Sequence, residues 1–145
     1  MVGGAGRGRI ASTVIALLVL GCTSGDQPGR LAGTCYDEPP RDPDSAPTAE
    51  CEDGRFEIVS VDVLEAAEDQ PFPGDETLST ATFDRCLDAA EGYVDAALPD
   101  VDLDLWFHHP GEGAWDDGDR QFVCAVSRSD EGPLDGSVNG LGSGD

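Results

Sequence analysis

Lysine is absent from this sequence, and eight arginines face thirty aspartates and glutamates across 145 residues, a formal net charge of −22. A surface this negative repels phosphate backbones and anionic lipid headgroups, which excludes nucleic-acid binding through a basic patch. Most of the charge reads as a solvated, self-repelling coat. No apolar run reaches the roughly twenty residues that a bilayer-spanning helix needs. There is no C-x-x-C pair, and the two histidines, His108 and His109, are neighbours that an extended strand points to opposite faces. That spacing makes a poor chelate, so no structural zinc site is expected. No G-x-S-x-G is present either, which removes the commonest sequence signal for a serine nucleophile.

The calcium motifs are also incomplete. Asp100-Val-Asp102-Leu-Asp104 begins like a calcium-binding loop, but Leu105 and Gly111 stand where that loop needs glycine and glutamate. Asp116-Asp117-Gly118-Asp119 reads as a turn. Acidic residues are too abundant for paired carboxylates to signal glycoside hydrolysis, and no other catalytic constellation assembles. The chain is therefore read as non-enzymatic, without a cofactor or a metal.

What is present starts at the front. MVGGAGRGR is a short basic head, and IASTVIALLVL, Ile10 to Leu20, is apolar apart from Ser12 and Thr13. That length suits the hydrophobic core of a secretory signal. Val19-Leu20-Gly21-Cys22 follows and resembles the bacterial lipobox, in which the cysteine thiol takes a diacylglyceryl group. Cleavage before Cys22 would leave it as the lipidated N-terminus. Each buried acyl methylene contributes about 0.8 kcal/mol, and more than one chain makes such an anchor durable. On this reading residues 1–21 are a lipoprotein signal peptide, Cys22 is the lipidation site, and residues 22–32 are a flexible tether. The expected location is the outer face of the cell membrane.

Four cysteines remain, and outside the membrane disulfides persist. Thr80 to Leu98 predicts an amphipathic helix with Phe83, Cys86, Leu87, Ala90, Tyr93, Val94 and Ala97 along one stripe. Ser79 or Thr80 suits its start and Pro99 its end. Arg120 to Arg128 predicts a strand with Phe122, Cys124 and Val126 on one face. Cys86 and Cys124 both point inward from elements that would pack together, which pairs them and leaves Cys35 with Cys51.

Gly54 to Leu64 predicts a central strand, with Val59, Val61 and Val63 on one face and Phe56, Ile58 and Leu64 on the other. Val101 to Phe107 alternates with Val101, Leu103, Leu105 and Phe107 inward and Asp102, Asp104 and Trp106 outward. Thr34 to Asp37 suits a short edge strand. The proline-rich stretch to Glu50 and the segment Pro110 to Arg120 read as loops, and the stretch after Ser129 as a glycine-rich tail, loose at 141–145. The fold class is α+β, a small antiparallel sheet packed by one main helix and held by two disulfides.

Thr34-Cys35-Tyr36-Asp37, Ala49-Glu50-Cys51 with Glu57-Ile58-Val59, Cys86, PGEGAWDDGDRQFVCAV from Pro110, and Gly136-Ser137-Val138 with Gly140 together resemble the septum formation domain of actinobacterial envelope proteins. The resemblance covers Thr34 to Gly140, with the domain taken as 33–140. Its most specific part is W-x-x-G-D-R-x-x-x-C: Trp115, Gly118, Asp119, Arg120 and Cys124. The family carries a histidine four residues after the second cysteine, where this chain holds Arg55. In the core motif Trp115 suits covering the sheet, Gly118 a tight turn, and Arg120 pairing with Asp119 or Asp117. The resemblance implies an envelope protein linked to division septa, and together with the Cys22 lipobox the chain reads as a lipid-anchored protein that works by binding a division protein, another envelope protein or the cell wall. The alternative is an acidic extracellular module that binds calcium or a small solute.

Overall fold

The computed structural model describes residues 31–144. The apolar run and Cys22 lie outside them. Among the described residues no helix is long and apolar enough to cross a membrane.

Four antiparallel strands form one sheet in the order β1-β2-β4-β3: β1 is Cys35–Tyr36, β2 Phe56–Val63, β3 Leu103–His108 and β4 Gln121–Arg128. The main helix, α1, is Asp75–Val94, and a one-turn helix, α2, is Glu112–Asp116. Both sulfur pairs are closed, Cys35–Cys51 with Cα atoms 5.2 Å apart and Cys86–Cys124 with Cα atoms 5.1 Å apart. The α+β architecture and the two pairings agree with the sequence reading.

Helix α1 starts and stops earlier than its apolar stripe implies. Gly74 is the N-cap, not Ser79 or Thr80, and Asp75 and Glu76 lie in the first turn, where negative charge meets the positive end of the helix dipole. The buried line is Leu78, Thr82, Cys86, Ala90 and Val94, a four-residue step throughout. Phe83 falls beside that line and is exposed, although its ring meets Phe107 edge-on with centroids 6.1 Å apart. The helix ends at Asp95, whose left-handed backbone sends its N–H back to Glu91 O. Pro99 instead lies in the 3-10 turn Leu98–Val101. Val101 therefore precedes β3 and does not begin it.

Strand β2 carries the main departure. Its pairing with β4 runs Ile58 to Ala125 and then Ser60 to Cys124, so Val59 is an extra residue. Such a bulge reverses the side-chain alternation beyond it. Val59 and Leu64 join the core under α1, whereas Phe56, Ile58 and Val61 pack on the opposite face. The expected row of Val59, Val61 and Val63 is broken at that point, and Val63 is left 39% exposed.

The sheet thus has two buried faces. Helix α1 covers one, over Leu103, Phe122, Cys124 and Val126. The other holds Tyr36, Ile58, Val61, Val123 and Ala125, with Ala46 of the proline-rich loop packed against it. Tyr36 Oη donates to Pro43 O at 2.9 Å, which holds that loop against the sheet. Pro40 and Pro43 are buried there.

Among the described residues, the chain beyond β4 packs back on the fold. Leu134 and Val138 are buried, Leu134 N donates to Gly54 O and Gly136 N to Cys51 O. Residues Leu141–Ser143 close in a 3-10 turn against the end of α1. A Cβ at Gly142 would collide with Asp95 O and the Ala96 side chain, so only glycine permits that approach.

Candidate functional site

Three places concentrate polar chemistry. The first is Glu57, wholly buried on the helix side of β2. Its Oε1 accepts from Tyr93 Oη at 2.7 Å and from Ser137 Oγ at 2.6 Å, and its Oε2 accepts from Val138 N at 2.8 Å. One carboxylate thereby joins β2, the last turn of α1 and the closing segment. Burial and then the Glu57 carboxylate raise the Tyr93 phenol above its ordinary value, because a second negative charge there is disfavoured. The Cys35 and Cys51 sulfurs and a Glu57 oxygen lie within 4.8 Å of one another, a grouping that suits a metal by distance alone. Both sulfurs are held in a disulfide, so neither is a thiolate ligand. Carboxylates of the acidic runs 100–104 and 116–119 do not appear in any such group among the described residues.

The second place is the tryptophan–arginine motif. Trp115 is buried at the end of α2, its indole N–H donating to Gln70 O at 2.7 Å and its ring meeting Phe72 edge-on. Gly118, at φ +92, makes the turn that follows. Asp119 Oδ1 accepts from Gln121 N at 2.9 Å as β4 begins. Arg120 departs from its expected pairing with Asp119 or Asp117. Its guanidinium lies 3.6 Å from the Trp115 ring centroid and donates to backbone carbonyls, Trp115 O at 2.7 Å and Asp119 O at 2.9 Å. At 8% exposure the side chain lies beneath the surface, while Asp117 and Asp119 remain at it. The motif therefore clamps α2 and the 65–73 loop onto β4.

His109 belongs to the same end of the molecule. Its Nδ1 is 2.9 Å from Pro110 O, a pure acceptor, so Nδ1 carries a proton, and Nε2 lies 2.9 Å from Ser79 Oγ. A backbone carbonyl stands where a serine-hydrolase triad has a carboxylate. His108 turns the other way and stacks on Trp106, ring centroids 6.3 Å apart. Burial chiefly, then the charges of Arg41 and His109, lower the His108 pKa, with Asp119 opposing.

The third place is an open groove of about 400 Å³ at one end of the sheet. Ser127 of β4 lies directly across from Phe56 on β2 and from Asp104 on β3, so the three share one row on one face. Small Ser127 between larger neighbours leaves a depression. Trp106 meets the Phe56 ring edge-on with centroids 6.1 Å apart and extends the apolar wall toward β3. Arg55, Arg128 and Glu131 complete the rim, facing the loop that begins at Asp37.

The two arginines at the groove differ in their freedom. Arg128 is fixed by Asp130, through Nε at 3.1 Å and a terminal nitrogen at 2.8 Å, and by Asp135 at 3.2 Å. That hydrogen bond raises the Arg128 pKa and holds the Asp130 carboxyl below the usual range. Among the described residues Arg55 reaches only Asp37, at 3.6 Å, and both side chains are more than half exposed. Asp104 accepts from Ser129 on one oxygen, Oδ1, at 3.0 Å. Sequence reasoning took Asp104 for an outward strand residue and gave Phe56, Ser127 and Arg128 no site. The signal available was that two arginines of so acidic a chain flank the same ends of β2 and β4.

The W-x-x-G-D-R-x-x-x-C run ends at Cys124, where the second disulfide meets α1, so the family motif and the helix–sheet staple are one structure. No curated protein and no solved structure matches the chain. The septum formation family model matches residues 32–140, which include every strand, both longer helical elements and both disulfides. The chain belongs to the septum formation family.

Proposed function

We propose that the protein is a lipid-anchored module on the outer face of the cell membrane that works at or near the division septum by binding, without catalysing a reaction. The observation that carries this is the family match over nearly all of the described chain, joined to a fold closed by two disulfides. Disulfides persist in oxidising compartments outside the cytoplasm. The signal-like front and the Cys22 lipobox supply a route to that compartment and an anchor in it.

The partner is a division protein, another envelope protein or a cell-wall component. The alternative, an acidic module that takes a small solute, is favoured by the groove at Phe56, Ser127 and Asp104. Capture from membranes crosslinked during division tests the binding role. Enrichment of division or wall-synthesis proteins over an unrelated lipoprotein supports it, and an equal list of partners overturns it. Calorimetric titration with calcium gives the other arm, in which strong saturable uptake would make the alternative the better reading.

A further inference from the structure

The groove combines features that constrain what it can hold. Its volume, about 400 Å³, lies inside the roughly 300–1,000 Å³ range of small-molecule sites. Its floor is a serine, one wall is an aromatic ring, and its rim carries four carboxylates, Asp37, Glu38, Asp104 and Glu131, beside the two arginines Arg55 and Arg128. Asp104 belongs to β3 and Glu131 to the turn after β4. Asp104 accepts from Ser129 through one oxygen, Oδ1. Arg55 stands just ahead of β2, and its contact with Asp37 is long and solvent-exposed. Arg128 is already neutralised by two carboxylates and acts as a fixed part of the wall.

A purely anionic ligand would meet the field of a chain carrying −22 and a rim with more carboxylates than guanidiniums. A neutral saccharide could lie on Phe56, but it would leave the opposed charges at the rim without charged partners. A ligand with an ammonium at one end and a carboxylate at the other uses both. The ammonium fits Asp104 and Glu131, the carboxylate fits the Arg55 fork, and an apolar side chain between them fits the Phe56 ring.

We propose that this groove binds a short peptide bearing a free amino group and a free carboxylate. The inference rests on the alternative reading given above, an acidic module that takes a small solute, and names the class of that solute. The three strands that form the groove are paired on each side of Ser127, so the site is formed before the ligand arrives.

The test is an NMR titration of the full chain, oxidised, isotope-labelled and kept in mild detergent, with the dipeptide leucyl-alanine. Saturable shifts at the Phe56, Ser127 and Gly132 amides are expected. Blocking the carboxylate as an amide should weaken binding about tenfold, the loss of one charge-assisted contact. Arg55→Gln, at an exposed position, should remove the difference between the free and amidated peptides while leaving the rest of the spectrum in place. Asp104→Asn should do the same for peptides with free and acetylated amines.

Absence of saturation in the millimolar range overturns the proposal. So does equal binding of the doubly blocked dipeptide, or tighter binding of N,N′-diacetylchitobiose than of leucyl-alanine at these amides. These readouts report only contact at the groove. A null result strikes the ligand class, whereas a failure of septal localisation strikes the envelope role.

Discussion

Glu57 offers the sharpest test of how the fold holds its closing segment. Burying a carboxylate costs several kcal/mol of hydration even after relaxation, and among the described residues no cation is hydrogen-bonded to this one. Three donors offset that cost, each charge-assisted bond contributing about 1.5–3 kcal/mol. Glu57→Gln keeps the shape. Its amide oxygen can still accept from Val138 N, while the Tyr93 and Ser137 hydroxyls turn to accept from the amide nitrogen. Only the charge assistance is lost, and the neutral amide is easier to bury, so the net destabilisation is about 1–2 kcal/mol.

Glu57→Leu removes the acceptor and leaves the Val138 N–H buried and unpaired, at about 1–3 kcal/mol. Glu57→Ala adds a cavity to that loss and should reach about 3–5 kcal/mol. Urea unfolding with disulfides intact measures the order Gln, Leu, Ala. Hydrogen exchange at the Val138 amide separates the mechanisms: protection should survive in the Gln variant and fall in the other two. A Leu variant as stable as the parent, with Val138 still protected, would refute the role assigned to this carboxylate.

Other consequences follow from the same structure. Removing the Cys86–Cys124 link as a double alanine variant should cost about 4 kcal/mol and removing Cys35–Cys51 about 3 kcal/mol, since the loops span 38 and 16 residues. Equal losses by urea unfolding would argue against the chain-entropy account. The His108 pKa is lowered in the fold, so the unfolded chain takes the proton more readily. Its contribution to stability is present above the ordinary value of 6.5 and declines as pH falls from there toward the folded value. His108→Gln should flatten that part of the acid profile, and an unchanged profile would contradict it. Palmitate-analogue labelling should mark the protein in cells and vanish in Cys22→Ser, whereas labelling that persists would remove the anchor.

Much of the fold was legible because its periodicities were strong. Cys86 on a helical stripe and Cys124 on an alternating strand named their own pairing, and the short β1 and the proline-rich loop announced themselves through composition. The bulge at Val59 was hidden because Phe56 to Leu64 is apolar on both alternations, so either register reads well. The start of α1 was hidden because its first turn is polar and gains from the helix dipole, which hydrophobic patterning does not report. Arg120 looked like an ion-pair residue beside two aspartates, but its burial made backbone carbonyls and the Trp115 face the nearer partners. The groove left almost no trace. It arises from strand register, which places Phe56, Ser127 and Asp104 in one row from three distant parts of the chain.

The most direct measurement of the central claim is the position of a tagged full-length chain in living cells through one division cycle. A band that appears at the nascent septum and depends on Cys22 is the predicted result. A signal spread evenly around the envelope at every stage would contradict it.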